Sequence, residues 1–276
     1  MLATVEARSP KGDLLTFPLE DDSSGYRVTK IEGLGPVKAN LVSSGFANAD
    51  GEIFQSSRRP ARNIKISLEL DPDPTVETVQ GLRNKLYRVF MPESKVKLSF
   101  ILEVGLTVDI FGVVEECDVE HFTQEPKADI SIMCYGDTDF IDPVPVVVPG
   151  FTVDDETNSM VIEYDGTVNT GIQLVLNVDR TLPEFTVYHV LPNDETQTLE
   201  FDNYPLEAGD TLTISTVFGS KGATLIRAGT SSSVLYGISP QSRFIELLPG
   251  ENSIRVYAEG DPIPLEVEYI TKYGGL

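Results

Sequence analysis

Short runs of β-branched and aromatic residues, cut every few positions by Gly, Pro, Asn or Asp, fill almost the whole of this 276-residue chain. Such punctuation leaves little room for helices, and the period-two alternation within the runs turns one side of each toward a core. The chain is therefore expected to be mainly β with one helix. In the first half, strands are expected near Tyr26 to Glu32, Arg62 to Leu70, Val96 to Leu102, Leu106 to Glu115 and Asp129 to Tyr135. From Gly150 onward about nine short runs follow, among them Met160 to Tyr164, Ile172 to Val178, Phe185 to Val190, Thr211 to Val217 and Ile254 to Ala258. Many short strands at that spacing predict a β-sandwich of jelly-roll or galectin-like type.

One stretch departs from the pattern. Val76, Val79, Leu82, Leu86 and Val89 recur at steps of three and four, which predicts a helix over Thr75 to Met91. Asp73 offers an N-cap, Pro74 suits a first helical position, and Pro92 would stop the helix. At mid-chain, Ile141-Asp-Pro-Val-Pro-Val-Val-Val-Pro-Gly150 sets three prolines among extended residues. It reads as a stiff linker over 143–149. This divides the chain into an N-terminal β-barrel or sandwich domain over 1–142 and a C-terminal β-sandwich over 150–276.

Charge narrows the functions. The sequence holds 43 acidic and 21 basic residues, a net charge of -22, so stable binding of duplex nucleic acid is not expected. No run approaches the roughly 18 apolar residues of a membrane helix. The start lacks a cationic segment leading into an apolar one, so synthesis and folding are expected in the cytosol. Only Cys117 and Cys134 are present, too few for a disulfide-stapled scaffold. A turn centred between Glu125 and Pro126 would pair residues whose numbers sum to 251, setting Cys117 opposite Cys134 as two buried, reduced thiols.

Catalytic constellations are hard to find. The two histidines, His121 and His189, fall on separate strands of different domains, and no HExxH or CxxC spacing offers a zinc site. His121 is expected at a core edge, on one face with Val119 and Cys117. Gly33-Leu-Gly-Pro36 lacks the third glycine and the helix of a dinucleotide loop, and reads as a tight turn. No G-x-S-x-G elbow occurs. Acid pairs such as Asp154-Asp-Glu156, Asp194-Glu195 or Glu116 with Asp118 are too common here to mark a glycosidase. Asp71-Pro-Asp-Pro lacks the spaced ligands of a calcium loop. Neither a catalytic residue, a metal site nor a cofactor is expected.

Two surface features remain. Arg58-Arg-Pro-Ala-Arg62 is the one dense basic cluster, and Arg58, Arg59 and Arg62 could either pair with acidic surface of a neighbouring copy or form a solvated hairpin edge. Tyr164, Tyr188, Tyr204, Tyr236 and Tyr257 in the second half could stack sugars, as jelly-roll modules often do, although the chain has no Trp. Ordinary strand and turn tyrosines give the same pattern.

The order of these features resembles the distal tail protein (Dit) family of long-tailed phages. The resemblance is carried by Tyr26-Arg-Val-Thr-Lys-Ile-Glu-Gly-Leu-Gly-Pro36, Asp50-Gly51, Arg58-Arg-Pro-Ala-Arg-Asn-Ile-Lys-Ile-Ser-Leu68, Leu82-Arg-Asn-Lys-Leu-Tyr-Arg-Val-Phe90, Val96 to Phe100, the strand pair through Val113 and Tyr135, and the closing Tyr269-Ile-Thr-Lys-Tyr-Gly-Gly-Leu276. It implies a structural, non-enzymatic protein of the virion tail tip, made in the host cytoplasm. It further implies a homo-hexameric ring with partners in the tail tube protein, the tip or hub protein, and a tail fibre or receptor-binding protein, DNA passing through without being held. The rival reading is a carbohydrate-binding module or adhesin acting through the C-terminal sandwich.

Overall fold

A computed structural model describes residues 1–21, 24–45, 50–121, 123, 125–154, 159–193 and 195–276. The chain divides into two compact units: Met1–Ile141 with Gly274–Leu276, and Asp142–Tyr273.

The first unit holds β1 (Leu2–Arg8), β2 (Leu14–Pro18), β3 (Tyr26–Glu32), β4 (Asn40–Gly45), β5 (Glu52–Arg58), β6 (Arg62–Leu70), α1 (Val79–Val89), β7 (Lys95–Leu102), β8 (Thr107–Val119), β9 (Lys127–Cys134) and β10 (Phe140–Ile141). The main sheet runs β2-β1-β7-β8-β9-β6-β3, with every neighbouring pair antiparallel. Alternate residues such as Val5, Ile64, Ile66, Leu98, Phe100, Ile110, Ile130 and Ile132 are buried, the inward half of each period-two strand. Helix α1 closes over this face with Leu82, Leu86 and Val89. Phe17 of β2 stacks on Phe90 at 6.3 Å and meets Tyr26 edge-on at 5.4 Å, and the Tyr26 hydroxyl donates to the Leu82 carbonyl at 2.9 Å.

The helix is shorter than its sequence signals. Thr78, not Asp73, is its N-cap: its backbone is extended and its hydroxyl accepts from Gly81 N–H at 3.1 Å. Asp73 instead caps a separate turn, accepting from Thr75 N–H and hydroxyl at 2.9 and 2.7 Å. The β-branched run Thr75, Val76, Thr78 lowers helix propensity there, and Val76 is left 81% exposed rather than on the apolar stripe.

The β8–β9 hairpin also differs from expectation. Val119 pairs with Ala128 and Cys117 with Ile130, residues whose numbers sum to 247, with a bulge between Val114 and Glu116. Pro126 is no turn centre; its carbonyl accepts from Leu70 N–H at 2.9 Å, so the chain already flanks β6 there. Cys134 consequently lies opposite Arg62 of β6. Both thiols are free, Cys134 buried and Cys117 half-buried, and burial pushes each up to about 11. His121 is exposed beyond the end of β8 rather than at a core edge. Gln124 of the connection lies outside the described residues.

The second unit contains β11 (Val146–Asp154), β12 (Met160–Tyr164), β13 (Thr170–Asn177), β14 (Phe185–Val190), β15 (Thr196–Phe201), β16 (Thr211–Ser215), β17 (Gly222–Arg227), β18 (Thr230–Ser233), β19 (Glu246–Leu247), β20 (Gly250–Tyr257) and β21 (Ile263–Tyr269). Its path is β15-β14-β20-β11-β21-β13-β16-β17-β18, with β12 added on β20 and β19 on β13. Strand β11 is shared: it runs antiparallel to β21 and, at Val153 and Asp154, parallel to β20. The two halves so joined bury one cluster, with Ile162, Val187, Leu199 and Ile254 from one and Leu174, Leu212, Ile214 and Val267 from the other. That is a β-sandwich.

The expected linker over 143–149 is largely strand. Val146, Val147 and Val148 pair with Tyr269, Glu268 and Val267, and the ladder breaks only between Val148 and Phe151. Pro149 has no N–H to give there, and Gly150 takes φ +86°. Proline and glycine mark a bulge inside one strand.

Candidate functional site

The three arginines have separate fates. Arg58 ends β5, exposed, opposite Asn40. Arg59 reaches the buried Asp139 in a two-pronged pair at 2.7 and 3.1 Å. Arg62 is only 2% exposed and cannot meet a neighbouring copy. Its Nε donates to Thr138 O at 2.6 Å, one terminal nitrogen to Gly33 O and Gly35 O at 2.7 and 2.8 Å, and the other to Gly274 O at 2.7 Å. Its guanidinium also sits 4.6 Å from the Phe140 ring centre. Burial pulls its pKa down, and the Asp139 carboxylate opposes that. Arg62 is thus a knot joining four distant stretches of chain, and the Gly33–Pro36 bend exists to present carbonyls to it. Gly33 takes φ +86°, and a Cβ there would lie 2.1 Å from Asn63 O.

The five tyrosines do not form one platform. Tyr164 is a core residue, 1% exposed, donating to Val168 O at 2.8 Å and accepting from Lys272 N–H at 3.0 Å. Tyr204 and Tyr236 meet edge-on at 5.6 Å, with Arg227, itself forked onto Asp210, 5.5 Å from the Tyr204 ring. Tyr188 and Tyr257 line a separate shallow cleft with Glu184 and Glu259. Tyr188 lies across the ladder from Arg255, which sits 5.1 Å from the Tyr257 ring centre.

Among the described residues no group of three or more His, Cys, Asp and Glu side chains converges as a metal site. Of the acid pairs, Asp155, Glu156 and Asp194 lie outside the described residues. Glu116 and Asp118 are exposed on β8.

His189 is fully buried in the second unit. Its Nε2 faces Asn252 Oδ1 at 3.1 Å. The Asn252 amide nitrogen is committed to Leu248 O and Gly250 O, so its oxygen accepts and Nε2 carries the proton. Burial holds the imidazole pKa below its ordinary value, with Asn252 and then Gln197 opposing. The unfolded chain therefore takes up a proton near pH 6.5 that the folded core refuses. Stability is complete above that pH and falls as pH drops through the window toward the folded value, by at most about 1.4 kcal/mol per pH unit. Denaturant midpoints between pH 7 and 5 should show this slope, and His189→Gln should blunt it; an identical slope in the variant would assign the acid sensitivity elsewhere.

Sequence reasoning missed one exposed apolar surface. The β4–β5 hairpin is a separate two-stranded sheet on which Leu41, Val42, Ile53 and Phe54 are 70, 51, 50 and 61% exposed. A signal was available: adjacent apolar pairs in a strand point to opposite faces, so at most one of each can reach a core.

The comparisons agree with this architecture. Residues 165–273 match the family model of the siphovirus-type tail component, C-terminal domain. Over 97% of this chain and 98% of that one, the structure is similar to the crystal structure of the Dit protein of phage SPP1, described as a paradigm of the hub adsorption apparatus in phages infecting Gram-positive bacteria, with TM-score 0.68 and 14% identity. A chain of the phage p2 baseplate in its activated conformation aligns over 99% of both chains, with TM-score 0.48 and 10% identity. No curated protein matches. The second unit thus matches a siphovirus-type tail-component domain, and the chain over its whole length is similar in fold to the SPP1 Dit protein.

Proposed function

We propose that the protein is a hub subunit of the tail tip, six copies of which close into a ring between the tail tube and the central tip. In this reading the first unit builds the ring and the second docks peripheral fibres or receptor-binding proteins. The observation that carries it is the tail-component domain at 165–273 within a full-length Dit fold. A ring needs one heterologous contact repeated until the rotation closes. The net charge of -22 per copy would keep the assembly from holding DNA as it leaves.

Negative-stain images of the purified chain, alone and with the tail tube protein, should show a six-fold ring with a central hole. A monomer in both preparations would overturn the reading, and a basic lining to the hole would overturn the explanation of the charge. Sugar binding is favoured by one observation, the paired aromatics and carboxylates of the Tyr188–Tyr257 cleft. Binding of a host-wall glycan by the full chain, lost in Tyr188→Ala, would support it; silence across such glycans would end it.

A further inference from the structure

The hairpin that emerges between β3 and β6 is incomplete as it stands. Two strands alone are marginal in water and need a third strand or a packed face, yet every described residue of β4 and β5 is exposed. Leu41 and Ser43 share one face by alternation, and Ser43 pairs with Phe54 as Gly45 does with Glu52. Leu41, Phe54 and Glu52 therefore form one face, apolar with a carboxylate at its tip end, where Asp50 is also exposed.

A surface of matching character lies elsewhere on the same unit. Phe111 and Tyr135 are 55 and 63% exposed and, with Val113, floor a mostly apolar groove of about 490 Å³. Arg8, Lys95 and Lys97 rim it. Lys97 is held by Asp109 at 2.8 Å, whereas Arg8 and Lys95 make no ion pair among the described residues. On a chain this acidic, an apolar groove bordered by free cations suits an apolar segment that carries acid.

Topology sets the two surfaces on different strands of one sheet and at the same level. The hairpin springs from the β6–β3 edge, where Arg62 begins β6, and the groove spans β1, β7 and β8 with Tyr135, just past the end of β9, on its near side. Arg62 pairs with Cys134, Gly112 lies against Cys134 and pairs with Val96, so a single cross-strand row leads from the root of the hairpin to the groove. A copy set beside the sheet edge at the same level meets the hairpin with its groove. Its own hairpin then points onward, which is a heterologous contact able to close on itself.

We infer that copies join head to tail, the β4–β5 hairpin of one seating Leu41 and Phe54 over Phe111, Val113 and Tyr135 of the next, with Asp50 and Glu52 against Arg8 and Lys95. This rests on the ring reading above and names its contact.

The test uses full-length chains. Phe54→Cys and Phe111→Cys proteins, mixed under mild oxidation, should give a disulfide-linked dimer that neither forms alone. Cys117 and Cys134 contribute little background, because burial disfavours both thiolates. A chain carrying both substitutions should give a ladder ending in a closed ring. Phe54→Glu should weaken assembly by about tenfold or more while leaving the thermal midpoint of the monomer unchanged, since the side chain is exposed. Wild-type rings that form without the cross-link, together with normal assembly of Phe54→Glu, would overturn this contact and leave the ring intact. A wild-type chain that stays monomeric with the tube protein and gives no cross-link would overturn both.

Discussion

Arg62→Met should destabilise the first unit by about 3–5 kcal/mol, because it removes a buried cation together with the four hydrogen bonds it donates. Methionine fills much of the space but donates nothing. The carbonyls of Thr138, Gly33, Gly35 and Gly274 lose the donor that turned them inward, while Asp139 keeps its pair with Arg59. Arg62→Lys should do little better, since one ammonium cannot span the fork a guanidinium spans. Arg58→Met is the control: an exposed side chain at the end of β5 should change stability by no more than about 0.5 kcal/mol. Urea unfolding of the three variants decides the matter. Equal midpoints for Arg62→Met and Arg58→Met would show that the knot adds nothing.

The same arginine marks where sequence reasoning stops. Its place in a basic cluster was legible, but its partners lie 27 to 212 residues away, and a charged residue type carries no sign of its own burial. Period-two alternation does act locally, and Met160–Tyr164 and Phe185–Val190 were legible to the residue. Register does not: a bulge after Val114 and a connection longer than a tight turn moved Cys117 from Cys134 to Ile130. Prolines at 143, 145 and 149 suggested a linker because Pro cannot donate to a ladder, yet the valines between and beyond them found β21. The hairpin surface was legible in principle, since Leu41-Val42 and Ile53-Phe54 offer an apolar residue to each face of a strand. Only the fold shows that the described residues of both strands stay exposed.

In the second unit, Gly171→Ala should cost about 3 kcal/mol, at the upper end for one added methyl in a packed core. Gly171 lies in β13, where a Cβ would meet Val217 Cα at 2.5 Å and the Thr216 carbonyl carbon and oxygen at 2.6 Å. These are backbone atoms and cannot swing aside. They are also pinned: Ile172 N–H donates to the Thr216 hydroxyl at 2.7 Å, and that hydroxyl and the Thr216 N–H both donate to Ile172 O, at 3.1 and 2.9 Å. Moving residues 216 and 217 to admit a methyl would break these bonds in a site where Thr216 is fully buried. Gly222→Ala, with its nearest neighbour at 4.0 Å, should be neutral or gain roughly 0.4–1 kcal/mol from a less flexible unfolded chain. Calorimetry of the full chain should then resolve two transitions, Gly171→Ala lowering one and Arg62→Met the other. If both variants lower a single shared transition, the two units unfold together, and the stability of the second is not independent of the first.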